Sequence, residues 1–415
     1  MPESPSDQRS LRILSVIPSL TAGGVGSVCR YAAEGIARQT GWAVTLLCLH
    51  DAPGILHDDG AGLRIVGLGL DGNCPRAFLA WLDSNPQDLV ITSDVSRIES
   101  AFRFIPADAR HVIQIHDSGR RYRDVAVRHA ACVDGVTCVG RHIESPLRQS
   151  LDAVGFGGLL RTVHNGANFP PFKEHQLYTG PLRLLFIGRV DALKGVFDFV
   201  PLLEHLKKLG VPVMLNLVGG ENEALRRRFQ TKGLSEMVRW TGSVAHERCY
   251  EIAAESDLLL VPSRKESFGM VSVEAMSMGC VPMAYEITSG STEIIEHGKS
   301  GLLVPLGDFR AWAAEIQALH ADRSRLANLA AGAMERARTH FNAEVMSANL
   351  TAFLRAVMAH AERQPALREA GMPTEETAVY HHSERGYQRL PEGLRTWIRD
   401  WVCARPRLSY WLLNR

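Results

Sequence analysis

The sequence predicts an α/β protein built from two doubly wound parallel sheets facing one another across a cleft. Three observations carry that prediction. Short apolar, β-branched runs alternate with stretches of helical period along most of the chain. Within the runs the apolar residues follow one another without alternating, as strands covered on both faces require. The pattern stops at a polar, turn-rich stretch, Asn168–Gly180 with Pro170 and Pro171, and then begins again. Strand–helix alternation implies βαβ units, which hold ligands at the carboxyl ends of their strands.

In the first half, strands are expected at Leu11–Ile17, Ala43–Leu49, Leu63–Val66, Asp88–Thr92, His111–His116 and Gly135–Val139. A glycine-rich turn, Thr21–Gly26, leads from the first of these into a helix around Val28–Arg38. In the second half, strands are expected at Leu182–Ile187, Val213–Val218, Val238–Trp240, Leu258–Val261, Val281–Ala284 and Leu302–Val304. Helices Phe197–Leu209, Glu223–Thr231, Glu247–Ser256 and Val271–Met278 fill the gaps, and Phe309–Arg336 and Ala343–Ala361 read as helical. The domains are therefore 1–170 and 180–342, followed by a helix over 343–363 and an extension over 365–415.

Composition narrows the function. The chain has 415 residues, 46 Lys+Arg against 45 Asp+Glu, and a formal net charge of +1. That balance argues against a nucleic-acid binder, which needs a basic footprint. No apolar run reaches the roughly 18–20 residues of a membrane-spanning helix, and Leu11–Ile17 is too short for a signal peptide. Eight cysteines are scattered without a C-x-x-C pair or zinc spacing, which suits the reducing cytosol.

Three motifs carry chemistry. Thr21-Ala-Gly-Gly-Val-Gly26 follows the first strand, where glycines let the backbone approach an anion at the next helix; a tight βα turn is an equal reading. Gly188-Arg-Val-Asp-Ala-Leu-Lys-Gly195 places Arg189 and Lys194 on one strand-to-helix turn, either as solvated cations or as a pair reaching a diphosphate. Pro262–Gly279 carries Glu266 and Glu274 on either side of a bend at Phe268-Gly269 that starts a helix near Met270 or Val271. Amides at that bend suit an anion, while Glu274 suits a ribose diol or its own helix N-terminus. The missing G-x-G-x-x-G argues against a nicotinamide dehydrogenase.

Glu266-Ser-Phe-Gly-Met-Val-Ser-Val-Glu274 resembles the E-x7-E motif of retaining GT-B glycosyltransferases of the family-4, or group 1, type. Gly23-Gly24, Gly188-Arg189 through Lys194-Gly195, Val218-Gly219-Gly220, Gly242–Val244 and Asp257–Ser263 fall in that family's order. The resemblance implies two Rossmann-like domains, an acceptor-side N-terminal one and a C-terminal one holding a nucleotide-diphosphate sugar. Arg189 and Lys194, beside Gly188, would hold the diphosphate and Glu274 the ribose. Val218, Gly219 and Val244 would border the base. Glu266, Phe268, Gly269, Met270 and Val271 would meet the sugar and phosphates, and Gly23 and Gly24 would close on the donor.

His116 matches the family's cleft histidine, which contacts the donor sugar; a buried, hydrogen-bonded histidine is the plainer reading of that position. His116, Glu266, Arg189 and Lys194 are thus the expected catalytic set. Gly290-Ser-Thr-Glu293 resembles a G-G-x-x-E loop with Ser291 for the second glycine, and Glu293 reads equally as a helix-start residue.

The resemblance further implies sugar transfer with retention of configuration to a hydroxyl on a glycan or lipid-linked acceptor, with no metal or other cofactor. A catalytically silent nucleotide-sugar-binding subunit is the alternative. The helix over 343–363 would cross back to the N-terminal domain. Beyond it, Leu390, Leu394, Trp397, Ile398 and Trp401 form one apolar helical face beside arginines. Residues 389–415 therefore suit self-association, docking on the N-terminal domain, or contact with the inner face of a membrane. The expected location is cytoplasmic.

Overall fold

The computed structural model describes residues 10–21, 23–71, 74–171 and 180–361. They fall into two compact units, one of residues up to Gly166 together with Ala343 onward, the other Ala167–Asn342. The extension over 365–415, with its aromatic and basic face, lies outside the described residues.

The first unit is built on β1 (Arg12–Ile17), β2 (Ala43–Cys48), β3 (Gly54–Asp58), β4 (Leu63–Gly67), β5 (Leu89–Ser93), β6 (Arg110–Ile115), β7 (Gly135–Cys138) and β8 (Leu159–Thr162). Its sheet order is β3-β4-β2-β1-β5-β6-β7-β8. Every neighbour pair is parallel except β3 with β4. Helices α1 (Gly23–Thr40), α2 (Cys74–Ser84), α3 (Arg120–Arg128) and α4 (Arg141–Asp152) connect the strands.

The second unit holds β9 (Leu182–Ile187), β10 (Val213–Val218), β11 (Val238–Gly242), β12 (Leu258–Val261), β13 (Val281–Tyr285) and β14 (Leu302–Val304). They are all parallel, in the order β11-β10-β9-β12-β13-β14. Its helices are α5 (Phe199–Lys208), α6 (Glu223–Thr231), α7 (His246–Ala254), α8 (Met270–Ser277), α9 (Gly290–Ile294), α10 (Phe309–Ala321) and α11 (Arg323–His340). The last helix, α12 (Ala343–Ala359), belongs to the first unit. Both sheets have the doubly wound order, in which the chain leaves the first strand in one direction and later returns to its other side.

Continuous apolar runs form these strands because both faces of each sheet are covered. In β9, Leu184 and Phe186 enter a core with Leu215, Leu258, Met283 and Trp312, while the intervening Leu185 enters a second core with Val218, Leu259, Ala275 and Met278. Burying each such side chain contributes about 1.5–3 kcal/mol.

Several local differences from the sequence expectation have physical causes. β3 is an exposed antiparallel edge strand with Ile55 63% and Leu56 40% exposed, so no burial pattern marks it. Asp58 ends that strand and pairs with Arg64 at 3.0 Å. The stretch Phe309–Arg336 is not one helix: Asp322 breaks it, accepting from the Arg325 amide and so capping α11. The helix expected from Phe197 opens with a tight turn, Val196–Asp198. Among the described residues no helix is long and apolar enough to cross a membrane.

α12 packs along α1 at Gly35, where a Cβ would stand 2.0 Å from Ser347 Oγ. Ser347 cannot simply turn away, because its hydroxyl donates to the Ala343 carbonyl at 2.7 Å. Gly35→Leu should therefore destabilise the protein by about 1–3 kcal/mol through overpacking. A urea midpoint unchanged from the parent would show that the two helices do not bear on each other there.

Candidate functional site

In the second unit the chain's return to the sheet opens a crevice. β9 pairs with β10 over six residues but with β12 over only two, Leu184 with Leu258 and Leu185 with Leu259. Beyond them β9 and β12 are free to diverge, and the loops after Ile187 and Val261 stand at the crevice where doubly wound sheets bind ligands. Below, the Arg183 guanidinium and amide both hold Asp257, at 2.7 Å each.

The two loops meet through side chains. Lys194 Nζ donates to Glu266 Oε1 at 2.5 Å, and Ser263 Oγ donates to the same oxygen at 2.8 Å. The turn that presents Lys194 is shaped by Asp191, whose Oδ1 accepts the Lys194 amide at 3.0 Å. Arg189 is not drawn to Lys194: its side chain is 73% exposed and lies 3.6 Å from Asp191. Gly188 donates to the Val218 carbonyl at 3.0 Å. A Cβ on Gly219 would stand 1.9 Å from the Gly188 carbonyl, so the two backbones touch there. Val218 is buried and Val244 half-buried in the core that also receives Val271.

The loop after β12 turns at Gly269, whose φ of +105° favours glycine, and Met270 starts α8. The amides of Met270 and Val271 belong to the first turn, which has no intrahelical acceptor. Phe268 is buried edge-on against Phe341 at 5.8 Å. Gly290 accepts no Cβ, since one would stand 2.2 Å from the Phe268 carbonyl; its amide donates to the Glu266 carbonyl at 2.9 Å. Ser291 and Glu293 lie in α9, and Glu293's carbonyl accepts from Arg336. Glu274, one turn into α8, accepts from His246 Nε2 at 2.9 Å, and that bond raises the imidazole above its ordinary pKa.

Behind Lys194 and Glu266 lies a cluster that the motifs did not reveal. Arg264, 1% exposed, donates to the Pro262 carbonyl at 3.1 Å and to Asp198 Oδ1 at 2.8 Å. Tyr285 donates to Asp198 Oδ2 at 2.6 Å. Burial holds the Asp198 carboxyl above its usual range, and Arg264 and Tyr285 pull it back. A Cβ on Gly195 would strike the Pro262 carbonyl at 2.0 Å. The only sequence signal was a charged residue inside an apolar helix start, Asp198, and an arginine after a buried strand.

In the first unit the turn after β1 is held by Asp51, which accepts from the Leu20 amide at 2.8 Å and the Ser19 hydroxyl at 2.5 Å. Gly23 has φ +61° and Gly24 follows it into α1. The glycine that sterics demand is Gly26, where a Cβ would stand 2.2 Å from the Leu20 carbonyl. His116 is buried just past β6, with Cys29 Sγ 3.6 Å from its Nε2. Burial pushes the Cys29 thiol up to about 12 and the His116 imidazole down to about 4. Both groups are therefore neutral, and one hydrogen bond joins the thiol and Nε2. The buried Nδ1 of the ring has no partner among the described residues. Nearby, Arg120 lies 3.7 Å from Asp124, and Arg121 donates to the Tyr122 hydroxyl.

Asp94, at the end of β5, accepts the His116 amide at 3.4 Å and is the one non-glycine with positive φ among the described residues, at +53°. Burial raises its carboxyl to about 7. Among the described residues no group of three His, Cys, Asp or Glu side chains is disposed to hold a metal ion.

Residues 170–336 match the family described as Glycosyl transferases group 1. The chain is 30% identical over 205 residues to a D-inositol 3-phosphate glycosyltransferase of Nocardioides sp., across 43% of this chain and 44% of that protein. It is 26% identical over 210 residues to a glycogen synthase of Mycobacterium tuberculosis, across 50% of each. It thus spans about half the length of these curated relatives. The structure resembles sucrose-phosphate synthase from Thermosynechococcus elongatus, with TM-score 0.72 and 22% identity over 85% of this chain and 100% of that one. It also resembles HepE of Anabaena, solved with UDP and glucose, with TM-score 0.65 and 18% identity over 83% of this chain and 100% of that one.

Two outcomes follow from the geometry. Arg264→Leu leaves Asp198 buried without its counter-ion and should cost about 3–5 kcal/mol in urea unfolding, whereas removing both charges together costs less. A double Arg264→Leu, Asp198→Leu variant less stable than the single one would show that the pair is not coupled. Asp94 has a folded pKa of about 7, above its unfolded value. The native state therefore holds the extra proton, and the group costs stability as pH rises from about 4 through about 7. Asn tolerates the same positive φ, so Asp94→Asn should gain on the parent in urea midpoint across that range. A difference independent of pH would overturn this.

Proposed function

We propose that this chain, whose residues 170–336 match the group 1 glycosyl transferases and whose two doubly wound units share the GT-B fold, moves a sugar from a nucleotide-diphosphate donor to a hydroxyl acceptor with retention of configuration. The observation that carries this reading is the meeting of Lys194, Glu266 and the α8 N-terminus at the crevice of the second unit. The acceptor is a glycan or lipid-linked saccharide, received by the first unit.

As the bond from the anomeric carbon to the β-phosphate oxygen breaks, negative charge grows on the departing diphosphate. Lys194 and the amides of Met270 and Val271 face that charge with fixed positive ends and need no reorganisation. Arg189, exposed on the same loop, is free to swing onto the diphosphate. These groups do the work otherwise given to a divalent cation, so we place no metal in the reaction. Glu266 is held by Lys194 and Ser263 and positions the sugar. Glu274 takes the ribose. Val218, Gly219 and Val244 border the base. His116, through its unpartnered Nδ1, is the first unit's candidate contact for a sugar hydroxyl. The acceptor oxygen attacks from the face the diphosphate leaves, and its proton passes to a departing phosphate oxygen, so no side chain is needed as general base.

Lys194→Ala should lower transfer about 10²- to 10³-fold and weaken nucleotide binding, assayed with UDP-, GDP- and ADP-sugars chosen by thermal shift. Transfer undiminished in this variant would sink the assignment of the diphosphate site.

A further inference from the structure

Glu274 does not stand alone at the nucleotide site. His246 is the first residue of α7, two positions after Val244, and its Nε2 lies 2.9 Å from Glu274 Oε1. The contact joins two elements, since His246 belongs to α7 and Glu274 to α8. The ring packs against Tyr250, one turn on, at a centroid distance of 5.3 Å, so it is held rather than free to rotate. A cation at a helix N-terminus opposes the helix dipole, and the pairing with Glu274 outweighs that penalty, since it raises the imidazole's affinity for its proton.

The arrangement answers a problem in the site. A carboxylate close to a diphosphate repels it. Glu274 can offer its oxygens to a neutral diol either way, but it repels the neighbouring diphosphate less when its own charge is offset. His246 takes one oxygen, Oε1, and leaves the other for a hydroxyl. We propose that His246 is a positioning residue of the nucleotide site, fixing Glu274 and, when its ring is charged, cancelling the carboxylate's repulsion of the anionic donor. The inference rests on the reading of Glu274 as the ribose group. The other titratable groups near the ring are Glu247 beside it, which also favours its charged form, and Cys249 and Tyr250 on the same helix.

The consequence is a donor affinity that falls as pH rises through the titration of His246. Nucleotide sugars suit the measurement, because their diphosphate is esterified at both ends and keeps its charge near neutral pH. Calorimetry with UDP-glucose, GDP-mannose and ADP-glucose should show binding of the accepted donor weakening about three- to fivefold between about pH 6 and about pH 8. In His246→Gln, which still donates a hydrogen bond but carries no charge, the profile should be flat and near the weaker limit. His246→Ala should bind more weakly than His246→Gln at every pH, since it loses the orientation as well.

Glu274→Gln separates the two ideas. If it binds as the parent does, the ribose reading falls and this inference with it. If Glu274→Gln loses binding while His246→Gln keeps the parent's pH profile, the ribose reading stands and the role of His246 is refuted. Failure of the parent to bind any of the three donors would overturn both.

Discussion

The candidate site depends on how β9 meets β12. The pair shares two residues of register, against the six that join β9 to β10. Arg183 and Asp257 lock that short contact from below, and Arg264 with Asp198 ties the two loops above it. A parallel pair anchored only near one end can part at the other, and the parting is the crevice. Lys194 and Glu266 stand on its two banks. Their contact at 2.5 Å follows from the strand geometry, not from any attraction strong enough to create it.

The first unit repeats the device. Arg12 at the start of β1 holds Asp88 just before β5, its amide 2.7 Å from Asp88 Oδ2, as the Arg183 amide is 2.7 Å from Asp257 Oδ2. Between β6 and β7 the Arg110 guanidinium holds Asp134 at 2.9 Å, and the amide that Asp134 accepts there is that of His111, at 2.8 Å. In each case an arginine at the first or second position of one strand meets an aspartate just before a later strand. The recurrence pins strands at their amino ends; in the first unit the pairing still runs on to Val16 with Thr92 and Ile115 with Cys138. At the carboxyl ends the first unit places His116 and Asp94, one ring neutral through burial and one carboxyl raised by it. Positive φ at Asp94 marks strain stored beside a candidate site.

Much of this was legible beforehand. The apolar runs gave both sheets, because a strand covered on two faces has no polar alternation to hide it. Glu266 and Glu274 were visible as a loop and a helix residue, since Phe268-Gly269 announces the bend. The exposed β3 was not legible, because nothing buries it, and the break at Asp322 was hidden by helical period on both sides. The partners were hidden too. Nothing in the motif around Lys194 says that its amine lies on Glu266, 72 positions later, while Arg189 stays with Asp191. His246 had no motif at all, and Arg264 lay inside one that gave no sign of its partner.

By itself the sequence determined the class of fold, the two sheets and the residue types at the ends of their strands, because these follow from local periodicity and turn chemistry. Only the tertiary structure decided which of those residues touch. It put Lys194 with Glu266, His246 with Glu274, and Asp198 between Arg264 and Tyr285. Pairings across long loops depend on sheet order and register, which no short stretch of residues contains. The charges that looked like independent contributors to one site are set in pairs by the sheet that carries them.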